Sequence, residues 1–311
     1  MRLSDELFRT ADAFTSAHIG QALQLAAGGR FGLFPGHHAF HVELGLRSDF
    51  VEVDSLECLA ITRDGSLIDA HWDSKFTGNF DTRVALPKED IKPSYFLIIS
   101  VPISEKRPTG DGYCEPSYSL SLLDSDCAVP DKALPIARLV YDYAWRIDDL
   151  DFVPPCLYVS SHPAYQQMRE QFELLLAKLE ATSSSHLNSE GRPAVAMLLP
   201  NIRQLRIRVD KERDMLTPMT LLGMVQQCVS AFVTACDIYE TFLLDDAEEW
   251  KNYIALPYSQ RDVLGRLKEG LTLCVNINEK LGTLGVAPPP VRPVRAPEPT
   301  RKSKRVITIG Q

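Results

Sequence analysis

The sequence LGMVQQCVSAFVTACDIYETFL, residues 222–243, decides the fold of the second half of this 311-residue chain. Its apolar residues recur at intervals of three and four, which is the heptad spacing of a helix that buries one narrow face. They are Leu222, Val225, Val229, Phe232, Cys236, Tyr239 and Leu243. Thr217 and Pro218 precede them as an N-cap and a first-turn proline. The pattern predicts a long helix that belongs to a bundle.

Helical spacing extends on both sides of this stretch, from residue 162 to about residue 282. One helix is predicted through Tyr165, Met168, Phe172, Leu175 and Leu179. A second is predicted through Val195, Leu198, Ile202, Leu205 and Val209, with Pro200 expected to kink it or delay its start. The last runs from Ser259 through Leu264, Leu267, Leu271, Cys274 and Leu281, and Gly282 and Gly285 end it. Loops at residues 182–193, 210–217 and 245–257 are short, which favours antiparallel neighbours.

The first half of the chain follows a different period. Residues 3–27 suggest a helix that Gly28 and Gly29 stop, and residues 39–47 alternate apolar and polar side chains as a half-buried strand does. Further strands are predicted at residues 50–53, 56–62, 67–72, 95–103, 118–122, 136–145 and 152–159, with a hairpin turn at Asp64 and Gly65. Many short strands at close spacing are typical of a sandwich or barrel-like domain.

The predicted fold class is therefore α+β: a β-sandwich-like domain followed by an antiparallel helical bundle and a disordered tail. We expect an N-terminal helix or arm over residues 1–30 and a β-rich domain over residues 31–161. A helical bundle that serves as an oligomerisation stalk follows over residues 162–285, and a flexible, basic, proline-rich tail over residues 286–311. The predicted bundle or oligomer core consists of Tyr165, Met168, Phe172, Leu175, Leu222, Val225, Val229 and Phe232.

Charge separates the tail from the rest of the chain. The net charge is −8, but the residues after Ala287 carry +5. An acidic body argues against nucleic-acid binding by the folded part, and leaves the tail as the candidate for an anionic partner. The basic candidates are Arg301, Lys302, Lys304 and Arg305. Ile307 and Ile309 belong to a β-prone end that could add a strand to a partner's sheet, and a frayed terminus is the alternative.

No catalytic, cofactor-binding or metal-binding residue can be assigned from the sequence. The seven cysteines are scattered without CxxC spacing, so that reduced, buried thiols are expected. His38 and His41 lie three apart on a predicted strand, where they point to opposite faces, and with His37 they do not converge on one ion. GxSxG, P-loop and HExxH motifs are absent, and a solvated loop explains Asp148, Asp149 and Asp151. We expect a cytosolic protein that is not an enzyme, since residues 1–10 lack a signal-peptide core and no 18-residue apolar run occurs.

Three stretches carry a resemblance to a known family: RFGLFP at residues 30–35, LECLAITRDG at residues 56–65 and LTPMTLL at residues 216–222. They resemble, in turn, the entry to the first domain, a strand and turn, and the entry to the central helix of TssK, the baseplate subunit of type VI secretion systems. The Bacteroidetes-type forms are the most similar.

The resemblance implies a β shell domain that contacts the wedge proteins TssF and TssG, and a helical stalk that trimerises. In better-known members a C-terminal head domain binds the membrane complex. This chain departs from that pattern, since its predicted folded part ends near Gly285. The tail is then the candidate link to the membrane side.

The function expected from the sequence is that of a structural baseplate component. It would be a cytosolic homotrimer, held near the inner face of the inner membrane by the secretion machine. The alternative is a trimeric binding module of phage-tail-like or receptor-binding-like type.

Overall fold

The computed structural model describes residues 5–36, 40–73, 82–101, 106–108, 114–116, 118–148, 152–186, 192–239, 247–255 and 262–283 of the chain. The helices are α1 (Asp5–Ala26), α2 (Pro163–Ser185), α3 (Arg192–Lys211), α4 (Pro218–Tyr239), α5 (Ala247–Ala255) and α6 (Val263–Gly282). The strands are β1 (Gly32–Leu33), β2 (His41–Leu46), β3 (Phe50–Ile61), β4 (Leu67–Asp73), β5 (Arg83–Ala85), β6 (Ser94–Ser100), β7 (Lys106–Pro108), β8 (Cys114–Pro116), β9 (Ser119–Asp124), β10 (Ala133–Asp142) and β11 (Ala144–Ile147).

In the described part of the first half, two antiparallel sheets face each other across one core, and β7 and β8 form a separate two-stranded sheet. Strand β3 is the centre of a five-stranded sheet with β1, β2, β4 and β5, and the second sheet has the order β11-β10-β6-β9. Alternate residues of both sheets fill the space between them, as a sandwich requires. The buried contributors include Val53, Leu56 and Ile68 from the first sheet and Leu97 and Leu139 from the second. The α+β class, with sandwich and helices in that order, is confirmed.

Strand β3 joins two segments that the sequence analysis predicts as separate strands. Glu43 pairs with Ser55 and Leu44 pairs with Val53, so that Asp54 is an extra residue in a β-bulge. A bulge lets one unpaired residue interrupt the ladder without ending the strand. The polar pair at Asp54 and Ser55 therefore marks a bulge, and the prediction of a break was wrong.

The predicted strand over residues 136–145 is a hairpin instead. Strands β10 and β11 pair in antiparallel register, with Asp142 opposite Ala144, and the chain reverses at Tyr143. Tyr143 takes a φ of 61°. Glycine, asparagine or aspartate usually occupies such a position, so a tyrosine gave no turn signal.

Residues 152–159 do not form the strand predicted there. Pro154 and Pro155 have no N–H to donate to a ladder, which explains why only one isolated bridge forms, between Leu33 and Cys156. The chain then enters a 3₁₀ turn at Val159–Ser161. This segment connects the sandwich to the bundle.

Backbone hydrogen bonds fasten the connecting segment on both sides. Leu33 donates to Pro155 at 2.8 Å, Leu157 donates to Leu33 at 3.0 Å, and Val159 donates to Leu216 at 2.7 Å. Gly32 allows this approach, because a Cβ at its position would overlap the carbonyl group of Pro155.

The second half is a bundle in which each of α2 and α4 packs against both α3 and α6. The hydroxyl of Thr217 accepts the N–H of Thr220 at 3.1 Å, which confirms the predicted N-cap of α4. Helix α3 contains Pro200 without a delayed start, since it begins at Arg192.

The predicted loop over residues 245–257 contains α5, which packs against α4. Helix α5 returns the chain toward the sandwich, so that α6 runs in the same direction as its neighbours α2 and α4. The predicted antiparallel arrangement therefore holds for α2, α3 and α4 and not for α6. The hydrogen bond from Thr182 to Asn278, at 2.9 Å, joins the distal ends of α2 and α6. Trp250 and Tyr253 are buried and fix α5 to the core. A nine-residue helix with a few apolar residues gives little periodic signal, which is why the sequence predicted a loop.

Candidate functional site

The apolar stripe residues predicted for the bundle or oligomer core lie inside the bundle of a single chain. Tyr165, Met168, Phe172, Leu222, Val225, Val229 and Phe232 are buried in one hydrophobic cluster, and Leu175 is half-buried against it. They are therefore not available as a free surface of this chain. That a second copy meets them stays a prediction.

The exposed large apolar side chains of the bundle are few and scattered. Among the described residues they are Leu174 on α2, Ile207 on α3, Met215 in the turn before α4, Ile238 on α4 and Val275 on α6. Helix α4 has the length and mean hydropathy, 1.4, of a membrane span, but 61% of that window is buried inside the protein. Such burial is what the central helix of a bundle shows.

Thiol and imidazole groups do not form a reactive centre in the described part of the chain. Burial raises the pKa of the Cys58 thiol to about 12 and that of Cys236 to about 12, so that neither is a thiolate at neutral pH. His41 lies 3.3 Å from Glu43 on the surface. The described residues contain no group of three His, Cys, Asp or Glu side chains placed to hold a metal ion.

Several predicted site residues lie outside the described residues. They are His37, His38, Asp149, Asp151 and the tail residues Arg301, Lys302, Lys304, Arg305, Ile307 and Ile309. Asp148 is described, and it accepts a hydrogen bond from Nε of Arg138 at 2.7 Å.

A cavity of about 280 Å³ lies at the junction of sandwich and bundle. Apolar side chains from the end of the sandwich, including Phe40 and Ile147, meet Leu264 of α6 there, and Asp148 and His162 are its polar lining residues. Nδ1 of His162 accepts the N–H of Ala164 at 3.2 Å and caps α2. Burial lowers the pKa of His162, so that the neutral, accepting form is favoured.

The opposite end of the sandwich carries a groove of about 600 Å³. The rings of Tyr141 and Tyr95 contact Trp145, with centroids 5.1 and 5.6 Å away. Tyr143 stands beside them and is 97% exposed. No sequence motif indicates this surface, because its parts come from three separate loops and hairpins.

Helix α1 contacts the sandwich along its last turns. Ala27 is buried there with Ile61 and Leu157, and Leu23 packs against them. The amide of Gln24 donates to the carbonyl of Arg63. The side chains of Phe14 and Leu25 are 63% and 83% exposed. The junction cavity, the groove and the exposed face of α1 are three candidate surfaces for interaction. They lie on three different parts of the molecule.

A solved structure of another protein matches this chain over a length that includes both sandwich and bundle. TssK of the EAEC type VI secretion system (T6SS), solved with nanobody nb18, superposes with a TM-score of 0.56 over 88% of this chain and 68% of its own, at 15% identity. The chain has the fold of TssK.

A second solved structure also matches this chain over most of its length. It is a chain of the TssK-TssF-TssG baseplate subcomplex of a type VI secretion system, which matches at a TM-score of 0.56 and 16% identity. The match covers 90% of this chain and 96% of that one. No protein family and no curated protein matches at the level of sequence. The likeness to TssK is therefore carried by the fold.

Proposed function

We propose that this chain is a structural subunit of a type VI secretion baseplate, which assembles with copies of itself and with TssF-like and TssG-like proteins. The observation that carries the proposal is the TssK fold over 88% of the chain, including both sandwich and bundle. A match of that extent spans both the sandwich and the bundle of this chain, and is not limited to one common module. No residue has a catalytic role in this proposal.

The proposed arrangement follows from which surfaces the fold leaves open. The sandwich presents its aromatic groove away from the bundle, which suits contact with wedge proteins because aromatic side chains are enriched at interfaces. The bundle forms the stalk of a homotrimer. Its exposed apolar residues Leu174, Ile207, Ile238 and Val275 supply candidate contacts between copies.

The tail is proposed to link the assembly to an anionic protein or lipid surface at the inner face of the inner membrane. Its net charge of +5 supports this. If charge drives the contact, replacing Arg301, Lys302, Lys304 and Arg305 by Ala abolishes it and salt weakens it. If strand addition drives it, Ile307→Pro is the damaging change and salt has little effect.

The decisive experiment is purification of the tagged full-length chain from its own cells, followed by mass spectrometry of the proteins that accompany it. We expect TssF-like and TssG-like wedge proteins at constant ratios. Phage-tail structural proteins in their place would favour the trimeric binding module, and recovery of the chain alone in several salt conditions would contradict the proposal. A chain carrying Tyr143→Ala and Trp145→Ala tests the groove, with Leu67→Ala as the control for an exposed apolar residue elsewhere.

A further inference from the structure

We propose that residues 306–309, near the end of the tail, add as an antiparallel strand to the outer edge of β11 in their own chain. The inference goes beyond the proposed function, since it concerns a contact that the chain makes before any partner binds. It rests on an open side of the sandwich, on the direction from which the tail arrives and on the composition of the tail's end.

One edge of the sandwich is covered by a side chain of the same chain. The hydroxyl of Tyr118 accepts the N–H of Asp69 at 2.9 Å and donates to the carbonyl of the same residue at 3.0 Å. Asp69 lies on β4, which pairs with β3 and forms an edge of its sheet. The backbone groups that β4 turns outward at this point therefore have a partner, which protects an edge strand from pairing with other chains.

The opposite side of the sandwich is open along β2 and β11. Within the described residues, β2 pairs with β3 alone and β11 pairs with β10 alone, so each lies at the edge of its sheet. Strand β2 contributes Val42 to the junction cavity and Leu46 to the groove, and β11 contributes Ile147 and Trp145 in the same order. All four side chains are half-buried. Apolar side chains therefore reach the surface along the whole of this edge.

An edge of this kind fits one class of occupant, an extended segment with alternating apolar side chains. The outward N–H and C=O groups of an edge strand pair with the backbone of an added strand. In β11, Trp145 and Ile147 pack against the sandwich core while Ala144 and Arg146 are exposed. A strand added beside β11 continues this alternation, so that every second side chain covers the apolar residues of the open side.

The end of the tail has the composition that this edge requires. Residues 306–309 read Val-Ile-Thr-Ile, so that Ile307 and Ile309 share one face of a strand and Thr308 lies on the other. All four residues are β-branched, and such residues favour strands. With Ile307 and Ile309 turned toward the open side, Thr308 faces the solvent.

The tail is long enough to reach β11 from the distal end of α6. Residues 284–305 number 22, and an extended proline-rich chain spans about 3.1 Å per residue, or about 68 Å in all. Helix α6 has 20 residues and is therefore about 30 Å long. The six residues of β2 add about 20 Å along the sandwich. The path back along the bundle and the open side is shorter than the tail.

Direction and charge favour the same arrangement. A tail that returns along the bundle meets the Ile147 end of β11 first and the Ala144 end last, so the added strand is antiparallel to β11. The total charge is −8 and the tail carries +5, which leaves −13 on the rest of the chain. Glu43 on β2 and Asp262 at the start of α6 are exposed along this path. A linked basic segment is therefore attracted to its own body, where its local concentration is high.

The added strand and a wedge protein would use the same end of the sandwich. Ala144 and Trp145 belong to the edge of β11 and also line the groove. A segment docked on β11 covers these residues while the chain is alone. A protein that binds the groove would then have to displace it.

Hydrogen exchange of the purified chain tests the added strand. We expect the backbone amides of residues 144–147 to exchange about tenfold more slowly in the full chain than in a chain that ends at Arg305. Ile307→Pro removes a ladder donor, so this variant should exchange as fast as the truncated chain. Ile307→Val, the matched control, keeps the slow exchange. Equal exchange in the full and the truncated chain would overturn the proposal.

Chemical cross-linking tests whether the strand comes from the same chain. In a background with Cys114→Ser and Cys127→Ser, the changes Arg146→Cys and Thr308→Cys place thiols on the outward faces of neighbouring strands. Residues paired directly or shifted by two are about 5 to 8 Å apart, within the span of a short bis-maleimide.

We expect a cross-link within single chains from this pair. The yield should be about tenfold lower when Leu67→Cys, at an exposed position on β4, replaces Arg146→Cys as the control. Cross-linked dimers would assign the strand to a second copy and overturn the proposal, as would the absence of any cross-link. Because the chain is purified without partners, this result is independent of whether wedge proteins are recovered.

Discussion

Tyr253 and Arg266 hold each other by reciprocal hydrogen bonds. The Tyr253 hydroxyl donates to the carbonyl of Arg266 at 3.1 Å, and the Arg266 guanidinium donates to the carbonyl of Tyr253 at 2.7 Å. The guanidinium also lies over the tyrosine ring, 4.6 Å from its centroid. These bonds fix α5 to the start of α6.

Gly270→Ala is expected to destabilise the protein, although alanine is the better helix former by about 1 kcal/mol. A Cβ at position 270 would overlap the Tyr253 hydroxyl and a methyl group of Val225. Overpacking of a core costs about 1 to 3 kcal/mol. Urea denaturation measures the loss, and Gly282→Ala, where a Cβ meets nothing within 4 Å, is the control. Equal stability of both variants would show that α5 moves aside freely.

Acidification is expected to weaken the junction through His162. Burial lowers its pKa from the ordinary value of 6.5, so the unfolded chain binds the proton more tightly than the folded one. The contribution of neutral His162 to the free energy of unfolding is therefore fully present above pH 6.5. It is lost as the pH falls from 6.5 toward the lower pKa of the folded protein. A charged imidazole also cannot accept the N–H of Ala164.

The variant His162→Asn separates this group from the other titrating residues. Asparagine is an effective N-cap and does not titrate, so thermal unfolding of the variant loses part of the pH dependence between pH 7.5 and 5.5. Asp148 lines the same cavity and keeps its partner Arg138 in both proteins. An unchanged pH dependence of the unfolding midpoint in this variant would show that His162 does not contribute to it.

Tyr143→Gly is expected to raise the stability of the sandwich while damaging the groove. The left-handed φ of 61° costs a non-glycine residue about 1 to 2 kcal/mol, part of which is offset because glycine is more flexible when unfolded. Thermal unfolding should show an equal or higher midpoint. Tyr143→Phe, which keeps the strain and the ring, is the matched control for the loss of partner binding.

Phe232→Asp is expected to unfold the bundle, not to release intact monomers. Phe232 is 0% exposed, and its ring lies 5.4 Å from that of Trp250, so a charge there is buried without a partner. Circular dichroism measures the helix content. Ile238→Asp, on the exposed side of α4, keeps it. A folded Phe232→Asp monomer would mean that this residue faces a second copy.

The parts of the fold that repeat a period could be predicted from the sequence. The heptad spacing in α4 and the alternation of apolar and polar residues in β2 each repeat several times. Each repeat is further evidence for the same type of secondary structure. The N-cap at Thr217 could also be predicted, because the capping hydroxyl of Thr217 and the first-turn proline Pro218 are adjacent in the sequence.

The other features of the fold depend on contacts between distant residues, which no local sequence pattern indicates. Tyr143 makes a turn without a turn residue because the strands on both sides hold it, and Asp54 occupies a bulge set by its partner strand. The groove around Trp145 gathers residues that are about 100 positions apart, from Leu46 to Trp145. Such a surface becomes visible only when the sandwich is assembled.

The backbone bonds of Leu33 to Pro155 and Leu157 have a mechanical consequence. Because they join Leu33 to two positions of one extended segment, a pull along that segment loads both bonds together instead of one after the other. Bonds sheared in parallel share the force, so the junction resists stretching more than a single flexible linker would. Tension carried by the connecting segment is therefore expected to reach β1 and its sheet without first unravelling the junction.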